Sequence, residues 1–293
     1  MLKILCHGGA GRRGANQEAK NAVVARATAL GMEVLKLKGS AVDAVTAAVS
    51  LMEDDPLLNA GTGSYVQMDG MVRMDASIMD ARLNVGAVIG IRDVKNPIQV
   101  ARRIMDLGIH SVLGGDLATD FARTEGFESY DPRTVEKLEL WLELRRKYVR
   151  MSNLNLMHVL REEMRREEAL GTVGCVALDG RSQLAAGTST GGLKLDLPGR
   201  VGDVPLIGCG TYACEQAAVS CTGVGEKIIK VCLAKTVAEA ARRGLPPEEA
   251  CRLGMTEIEE VGGRAGVICL DGQGRGASLW NTEAMTICQL EEK

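Results

Sequence analysis

The segment GTVGCVALDG, residues 171–180, has the composition of a buried β-strand. Aliphatic residues alternate with small ones over a short run that ends in the turn-forming pair Asp-Gly. The run begins at Gly171-Thr172, directly after the strongly charged segment REEMRREEA, residues 161–169. So abrupt a change raises the question of whether the chain stays in one piece at that point.

The residues before this segment alternate between strand-like and helix-like patterns. Leu2–Cys6 predicts a strand that ends in a glycine-rich turn, HGGAG, and Ser40 is a good N-cap for a second helix. Helical spacing predicts helices in NQEAKNAVVARATALGMEVLKLKG (16–39), AVDAVTAAVSLMED (41–54) and NPIQVARRIMDLG (96–108). Short alternating runs predict strands in GSYVQMDG (63–70), MVRMDASIMD (71–80) and NVGAVIGIRDV (84–94).

The residues after Gly171 repeat this arrangement, beyond a polar stretch. Residues 134–169 are charged and poor in aliphatic side chains, so we expect an exposed helical connector there. The second half predicts strands in 172–180, 183–192, 205–214 and 217–225, helices in 226–244 and 246–261, and a closing hairpin in 265–285. This order favours one α/β domain spanning residues 1–293, in which helix layers cover stacked sheets.

Composition excludes several classes of protein. The chain has 293 residues and a net charge of −3, too balanced to predict a nucleic-acid or membrane partner. No run of apolar residues is long enough to span a bilayer, and the N-terminus lacks the core of a signal peptide. Nine cysteines without a CxxC pair indicate reduced thiols. We therefore expect a cytoplasmic protein.

Two familiar local motifs of phosphate-binding and zinc-dependent enzymes are absent. No GxxxxGK[ST] and no HExxH occurs in the sequence. The three histidines, His7, His110 and His158, lie in unrelated contexts, which argues against a zinc hydrolase. His7 by itself is more often structural than catalytic.

Threonines beside glycines recur at predicted strand ends. Thr172, Thr190 and Thr222 each have such a neighbour, and Arg200 and Asp203 lie nearby in PGRVGD. Each threonine alone is more often structural, but glycine also lets a ligand approach exposed hydroxyl and amide groups. Arg200 and Asp203 are either a solvated surface pair or a clamp for a zwitterion, with Arg on a carboxylate and Asp on an ammonium.

Several of these segments together resemble one known family. They are HGGAG, LNAGTGS, MDASIMD, GTVGCVALD, STGG, PGRVGDVPLIGCGTYA and SCTGVGE, in this order. The chain is in this respect similar to plant-type L-asparaginases, also called isoaspartyl peptidases, which are N-terminal nucleophile (Ntn) hydrolases. The resemblance implies a four-layer αββα sandwich that assembles as a homodimer of αβ units.

The resemblance also answers the question of chain continuity. Members of the family cut their own chain before the threonine of GTVG, which here gives fragments 1–171 and 172–293. Gly171 has no Cβ and so tolerates a strained main chain during the attack of the Thr172 hydroxyl. The freed α-amine of Thr172 then serves as the base for its own hydroxyl, so no cofactor is expected for the chemistry.

The family pattern assigns roles to the remaining site residues. By resemblance, Thr190 positions the nucleophile, Thr222 and the Gly223 amide stabilise the oxyanion, and Asn59 supports the nucleophile. Arg200 holds the α-carboxylate of asparagine or a β-aspartyl dipeptide, and Asp203 its α-ammonium, assisted by the Gly225 carbonyl. MEDDPLLNAGTG (52–63) resembles a sodium loop, whose ligands fall at the main-chain carbonyls of Met52, Glu53, Asp55, Leu58, Ala60 and Thr62.

Some positions depart from the family pattern, and other functions stay open. Leu195-Asp196 stand where Asn-Lys is common, Arg12-Arg13 follow HGGAG, Cys214 follows TYA and Arg264 interrupts GGRAG, all of which bear on substrate preference. A lysosomal glycosylasparaginase lacks support because neither a signal peptide nor disulfides are predicted. The alternatives are a taspase-like threonine endopeptidase and a non-maturing relative that only binds an amino acid.

Overall fold

A computed structural model describes residues 1–14, 16–148 and 171–292. Helices and strands alternate along both halves of this part of the chain. The strands are β1 Leu2–Gly11, β2 Met74–Asp80, β3 Val85–Ile91, β4 Val112–Gly114, β5 Val173–Leu178, β6 Leu184–Thr190, β7 Thr211–Ala213, β8 Ala217–Gly223, β9 Ala265–Asp271, β10 Gly276–Trp280 and β11 Ala284–Glu292. The helices are α1 Gln17–Lys36, α2 Ala41–Glu53, α3 Pro97–Leu107, α4 Gly115–Thr124, α5 Val135–Tyr148, α6 Gly225–Val231, α7 Leu233–Arg242 and α8 Pro247–Glu260.

The strands form two sheets in which both halves of the chain take part. The larger sheet has the order β11-β1-β5-β6-β2-β3-β4, and the smaller has the order β10-β9-β8-β7. Only the β3–β4 pair is parallel among the described strands. The larger sheet therefore places β5 and β6, which follow Thr172, between strands that precede it.

The two sheets stack and are covered by helices on their outer faces. α1, α2 and α3 pack on the larger sheet, whereas α7 and α8 pack on the smaller one. A third apolar cluster, which includes Leu5, Val176 and Ile268, fills the space between the sheets. The four-layer αββα sandwich is thus confirmed.

Local sequence signals explain where the second helix begins. Ser40 Oγ accepts a hydrogen bond from the Asp43 amide, and the Asp43 carboxylate accepts one from the Ser40 amide. This capping box satisfies two of the main-chain donors that a helix leaves free at its N-terminus. The alanines and valines of α2 then pack against β5 and β6, which fixes the helix across the strand that begins directly after Thr172.

Three expectations from the sequence are wrong in detail, and one strand was not expected. HGGAG is not a turn but the second half of β1, with a register shift between His7 and Ala10. Residues 63–70 form no strand, because Gln67 bonds to Met71 and Met68 to the Asp196 carbonyl instead of a neighbouring strand. The helix expected over 226–244 is divided at Cys232, which has a positive φ. The last strand, β11, had no predicted counterpart and pairs with β1.

The connector is less exposed than its composition predicts. Its described part forms α5, in which Leu138 and Trp141 are partly buried against the core beneath the larger sheet. The Trp141 ring lies against Gly70, where an added Cβ would come within 3.1 Å of the ring. The connector residues 149–169 lie outside the described part of the chain.

A chain of polar side chains crosses the apolar space between the sheets. His7 Nε2 lies 2.9 Å from Ser220 Oγ, which lies 2.7 Å from Thr188 Oγ1. Thr188 contacts Thr211, and Thr211 contacts Ser77, whose hydroxyl donates to the Val204 carbonyl at 2.6 Å. All five side chains are fully buried, so each depends on its neighbours for the hydrogen bonds that water would otherwise provide.

Removal of the central hydroxyl of this chain should destabilise the fold. Thr188→Val keeps the shape of the side chain but removes the hydrogen bonds that join Thr188 to Ser220 and to Thr211. We expect the free energy of unfolding to fall by about 1–3 kcal/mol, measured by urea denaturation. The matched control is Thr256→Val on the exposed face of α8, and an equal loss in both variants would contradict the expectation.

Burial of His7 should make the fold sensitive to acid. Burial lowers the pKa of His7 to about 3, against a weaker opposing hydrogen bond with the Thr172 main chain. Between about pH 6.5 and pH 3 the unfolded chain therefore binds a proton that the folded protein does not. The free energy of unfolding should therefore decrease as the pH is lowered through this window, by up to ~1.4 kcal/mol per pH unit from this group.

The variant His7→Gln isolates this contribution. We expect its free energy of unfolding to depend less steeply on pH than that of the parent protein between pH 4 and 6.5. The exposed His110→Gln is the matched control and should keep the parent's slope. Parallel pH profiles for all three proteins would be the contrary result.

Candidate active site

Thr172 lies at the entrance of β5 and faces the end of β6. The β5–β6 register pairs Val173 with Ser189, which brings the Thr172 and Thr190 side chains together. Their hydroxyl oxygens are 3.2 Å apart, and both side chains are almost completely buried. Thr190 Oγ1 also accepts a hydrogen bond from the Gly192 amide at 3.2 Å. The Thr172 hydroxyl is therefore held in one position by a neighbour that is itself fixed.

Gly171 is required by close packing. A Cβ at this position would lie 2.6 Å from Asn59 Cβ, nearer than two carbon atoms approach without a bond. Gly171 is not among the residues with positive φ, so packing against Asn59 is what accounts for the glycine in the uncut chain. Any larger residue before Thr172 would displace Asn59.

Asn59 forms hydrogen bonds to two loops beside Thr172. Its Nδ2 donates to the Gly192 carbonyl at 2.7 Å, and its Oδ1 accepts from the Tyr65 amide at 3.1 Å. Its main-chain carbonyl accepts from the Gly191 amide at 2.9 Å. Both ends of the side-chain amide are thus engaged, and Asn59 acts on Thr172 through the packing of Gly171.

Thr222 and Gly223 come from the other sheet. Thr222 is fully buried at the end of β8, and its Oγ1 accepts a long hydrogen bond, 3.4 Å, from the Ala10 amide of β1. Gly223 has φ +151°, and the main chain of Arg264 and Ala265 leaves no room for a Cβ there. β8 packs across β1 and β5, so the smaller sheet lies against the strand that follows Thr172.

Arg200 and Asp203 lie in a buried pocket rather than on the surface. Arg200 Nε donates to Glu226 Oε1 at 3.0 Å, and its Nη1 to Asp196 Oδ2 at 3.2 Å. Asp203 is 5% exposed. The solvated surface pair is therefore excluded.

Asp203 presents an acceptor that no described residue fills. Its Oδ2 is buried and has no hydrogen-bond partner among the described residues. Burial raises the pKa of Asp203 to about 7. Gly225, the first residue of α6, leaves room for the side chains of Asp203 and Arg200. A Cβ at this position would lie 2.8 Å from Asp203 Oδ1 and 3.0 Å from Arg200 Nη2. A cationic donor would satisfy this oxygen and stabilise its charge.

Further carboxyl groups near Arg200 had no role assigned from the sequence. Asp75 on β2 accepts from the Gly90 amide at 2.7 Å, and burial raises its pKa to about 6. Burial acts to raise the pKa of Glu226 as well, but Arg200 outweighs it and the pKa is lowered. Asp75 and Glu226 lie in MDASIMD and SCTGVGE, so the motifs contained them, but only the fold shows that their charges converge.

The loop expected to bind sodium is compact and rich in carbonyl groups. The Glu53 carbonyl accepts from the Thr62 amide at 2.7 Å, the Asp55 carbonyl from Leu58 at 3.1 Å, and the Met52 carbonyl from Asp55 at 3.4 Å. The carbonyls of Leu58, Ala60 and Thr62 accept no hydrogen bond from the residues that the structure describes. Carbonyl oxygens suit a hard cation, so the loop fits such an ion without acidic ligands.

Two further searches covered the described part of the chain. No helix within it is long and apolar enough to cross a membrane. No group of three or more His, Cys, Asp or Glu side chains within it is arranged to hold a metal ion. All nine cysteines carry free thiols, as expected from their spacing.

The chain is similar over its whole length to proteins with assigned names. A plant-type L-asparaginase of Pyrococcus furiosus is 44% identical over 299 aligned residues, which cover 100% of this chain and 97% of that protein. An isoaspartyl peptidase/L-asparaginase of Bos taurus is 39% identical (96% and 91% covered), and an isoaspartyl peptidase of Escherichia coli is 38% identical (96% and 90% covered). The asparaginase family model matches residues 1–293. The chain therefore belongs to the asparaginase family.

Proposed function

We propose that this protein is an amidohydrolase that cleaves the side-chain amide of L-asparagine or of β-aspartyl dipeptides, with Thr172 as the nucleophile. The observation that carries the proposal is the buried hydroxyl pair of Thr172 and Thr190, whose oxygens are 3.2 Å apart. Thr172 directly follows Gly171, where packing against Asn59 leaves no room for a Cβ. Membership of the asparaginase family and the names of the relatives support the same reaction.

Self-cleavage is the first step of this proposal. The Thr172 hydroxyl attacks the carbonyl carbon of Gly171, and the peptide nitrogen leaves, so that the acyl group passes from nitrogen to oxygen. Water then hydrolyses the resulting ester, which gives fragments 1–171 and 172–293. The fragments stay associated as one αββα domain, because β5, β6 and β11 of the second fragment are hydrogen-bonded within the larger sheet.

Cleavage supplies the general base. The new α-amine of Thr172 has an ordinary pKa of about 7.7–8.0, so near neutral pH a useful fraction is uncharged. The amine takes the proton of its own hydroxyl while the oxygen attacks the β-carbonyl of the substrate. It then gives this proton to the leaving nitrogen, and ammonia or an amino acid departs. Water, activated by the same amine, releases L-aspartate from the ester.

The pocket around Arg200 binds the part of the substrate that does not react. Arg200 forks onto the α-carboxylate, and the unfilled Asp203 Oδ2 accepts from the α-ammonium, with the Gly225 carbonyl as a further acceptor. Thr222 Oγ1 and the Gly223 amide stabilise the oxyanion. Removal of one such donor costs about 3–4 kcal/mol of transition-state stabilisation.

A cavity beside Gly171 gives the leaving group a place. It has a volume of about 90 Å³, and its walls include Asn59, Tyr65 and Gly171 together with three cationic side chains, Arg12, Lys20 and Lys137. The leaving amino acid of a β-aspartyl dipeptide carries a carboxylate that these cations complement, whereas ammonia carries none. This favours β-aspartyl dipeptides as substrates alongside asparagine.

The remaining parts of the proposal concern assembly, location and the ion. We infer a homodimer of αβ units and a cytoplasmic location from the family resemblance and from the free thiols, and light scattering would measure the assembly. The sodium ion has a structural role in the loop of residues 52–63. The taspase-like and non-maturing alternatives have no support from the relatives described above.

Replacement of Thr172 should prevent both self-cleavage and turnover. We expect Thr172→Ala to stay a single chain of 31.2 kDa, and its rate with asparagine and β-aspartyl dipeptides to fall at least about a thousandfold. Intact-mass spectrometry and a coupled aspartate assay measure the two effects. Thr256→Ala is the control and should cleave and turn over normally. An active, cleaved Thr172→Ala protein would refute the proposal.

Sodium should stabilise the fold more than potassium does. Binding of an ion to the folded state alone raises the stability by RT ln(1 + [L]/Kd), which keeps growing with the logarithm of the ion concentration above Kd. We expect a higher Tm in sodium chloride than in potassium or choline chloride at equal ionic strength, measured by scanning fluorimetry. Identical melting curves in all three salts would show that the loop needs no sodium.

A further inference from the structure

Arg200, the residue that holds the α-carboxylate in the proposed function, already has two carboxylate partners. Glu226 occupies Nε at 3.0 Å, and Asp196 occupies one position on Nη1 at 3.2 Å. A guanidinium group has five N–H donors, of which the carboxylate fork needs two on adjacent nitrogens. The substrate must therefore use Nη2 together with the nitrogen that Asp196 contacts.

Asp196 is held where it is and cannot easily turn away. The oxygen that faces Arg200, Oδ2, also accepts from the Leu193 amide at 2.8 Å. The Asp196 main-chain carbonyl accepts from the Met68 amide at 3.1 Å, and the residue is 7% exposed. Gly192, whose amide binds the Thr190 hydroxyl, lies against the same carboxylate. A swing of Asp196 would break these contacts close to the nucleophile.

The charges around Arg200 are strongly unbalanced. Four carboxyl groups interact electrostatically with Arg200 or with one another. They are Asp196 and Asp203 from the loop that contains Arg200, Glu226 from α6 and Asp75 from β2. Arg200 is the one cation among these groups in the described residues. A substrate α-carboxylate would add a further negative charge at the same guanidinium, and like charges in a buried site favour protonation of one of them.

We propose that Asp196 is a positioning residue that holds Arg200 in the empty pocket and takes up a proton from solvent when the α-carboxylate of the substrate binds. The inference rests on the proposed function of Arg200. No covalent bond changes, and Arg200 stays protonated throughout. Protonated Asp196 still accepts the hydrogen bond from the Leu193 amide. The positive charge of Arg200 is then neutralised by the substrate carboxylate.

Asp196 is better suited to this proton than its neighbours. Asp203 must be ionised to accept from the ammonium group, and Asp75 is bound to the Gly90 amide rather than to Arg200. Glu226 is partly exposed, and Arg200 lowers its pKa. Burial, by contrast, raises the pKa of Asp196 in spite of Arg200. Asp196 is therefore the carboxyl that touches the required Nη1 and can be neutralised without loss of a contact to the ammonium group.

The variant Asp196→Asn tests this role. Its side-chain oxygen can accept from both Arg200 and Leu193, but the amide cannot take up a proton. The number of protons bound with L-aspartate, the reaction product, is measured by titration calorimetry in buffers of different ionisation enthalpy. We expect the parent protein to take up at least about half a proton more than the variant. Between pH 6 and pH 8, the Kd of the parent should therefore change by a factor about ten times larger than the factor for the variant.

Controls separate this inference from the proposed function. Asp106→Asn on the exposed face of α3 should match the parent, and equal proton uptake in the parent and Asp196→Asn would overturn the inference. Should Asp196→Asn not fold, the parent is compared with L-aspartate and with β-alanine, which lacks the α-carboxylate. Equal proton numbers for the two ligands would then overturn it. Failure of the parent to bind L-aspartate or to hydrolyse asparagine and β-aspartyl dipeptides would instead reject the proposed function.

Discussion

The hydrogen-bonded ladders on both sides of β5 are the constraint on which the candidate site depends. β5 pairs with β1 through His7 and with β6 through Ser189, and all of its residues are buried. A slip by one residue would turn every side chain of the strand to the opposite face. The position of Thr172 relative to Thr190 is therefore fixed by the core of the larger sheet, and a cut before Thr172 would leave both ladders intact.

The same core carries polar groups toward the binding pocket. The chain of buried hydroxyls begins at His7, beside the main chain of Thr172, and ends at the Val204 carbonyl, next to Asp203. Buried polar groups are costly unless every member has a partner, so such a chain allows few alternative arrangements. Thr172 and Asp203 are in this way placed relative to each other through the interior.

The pocket itself is built from charges that are expensive to bury. Arg200 is surrounded by more carboxyl groups than it can neutralise, and burial raises the pKa of Asp203 and Asp75 toward neutrality. Such a cluster of buried carboxyl groups is poorly satisfied, and the unfilled Asp203 oxygen favours a cationic group of a ligand at this place.

The sequence by itself determined the layered α/β fold and most helix and strand positions, and it proposed the candidate site residues through motifs whose spacing is local. Periodicity and capping are properties of neighbouring residues, so they can be read along the chain. Only the tertiary structure decided that HGGAG continues β1, that Gly171 exists to admit Asn59, and that Asp75, Asp196 and Glu226 converge on Arg200. These are contacts between residues far apart in sequence, and their physical basis, the burial of charge and the closeness of packing, exists only once the sheets have stacked.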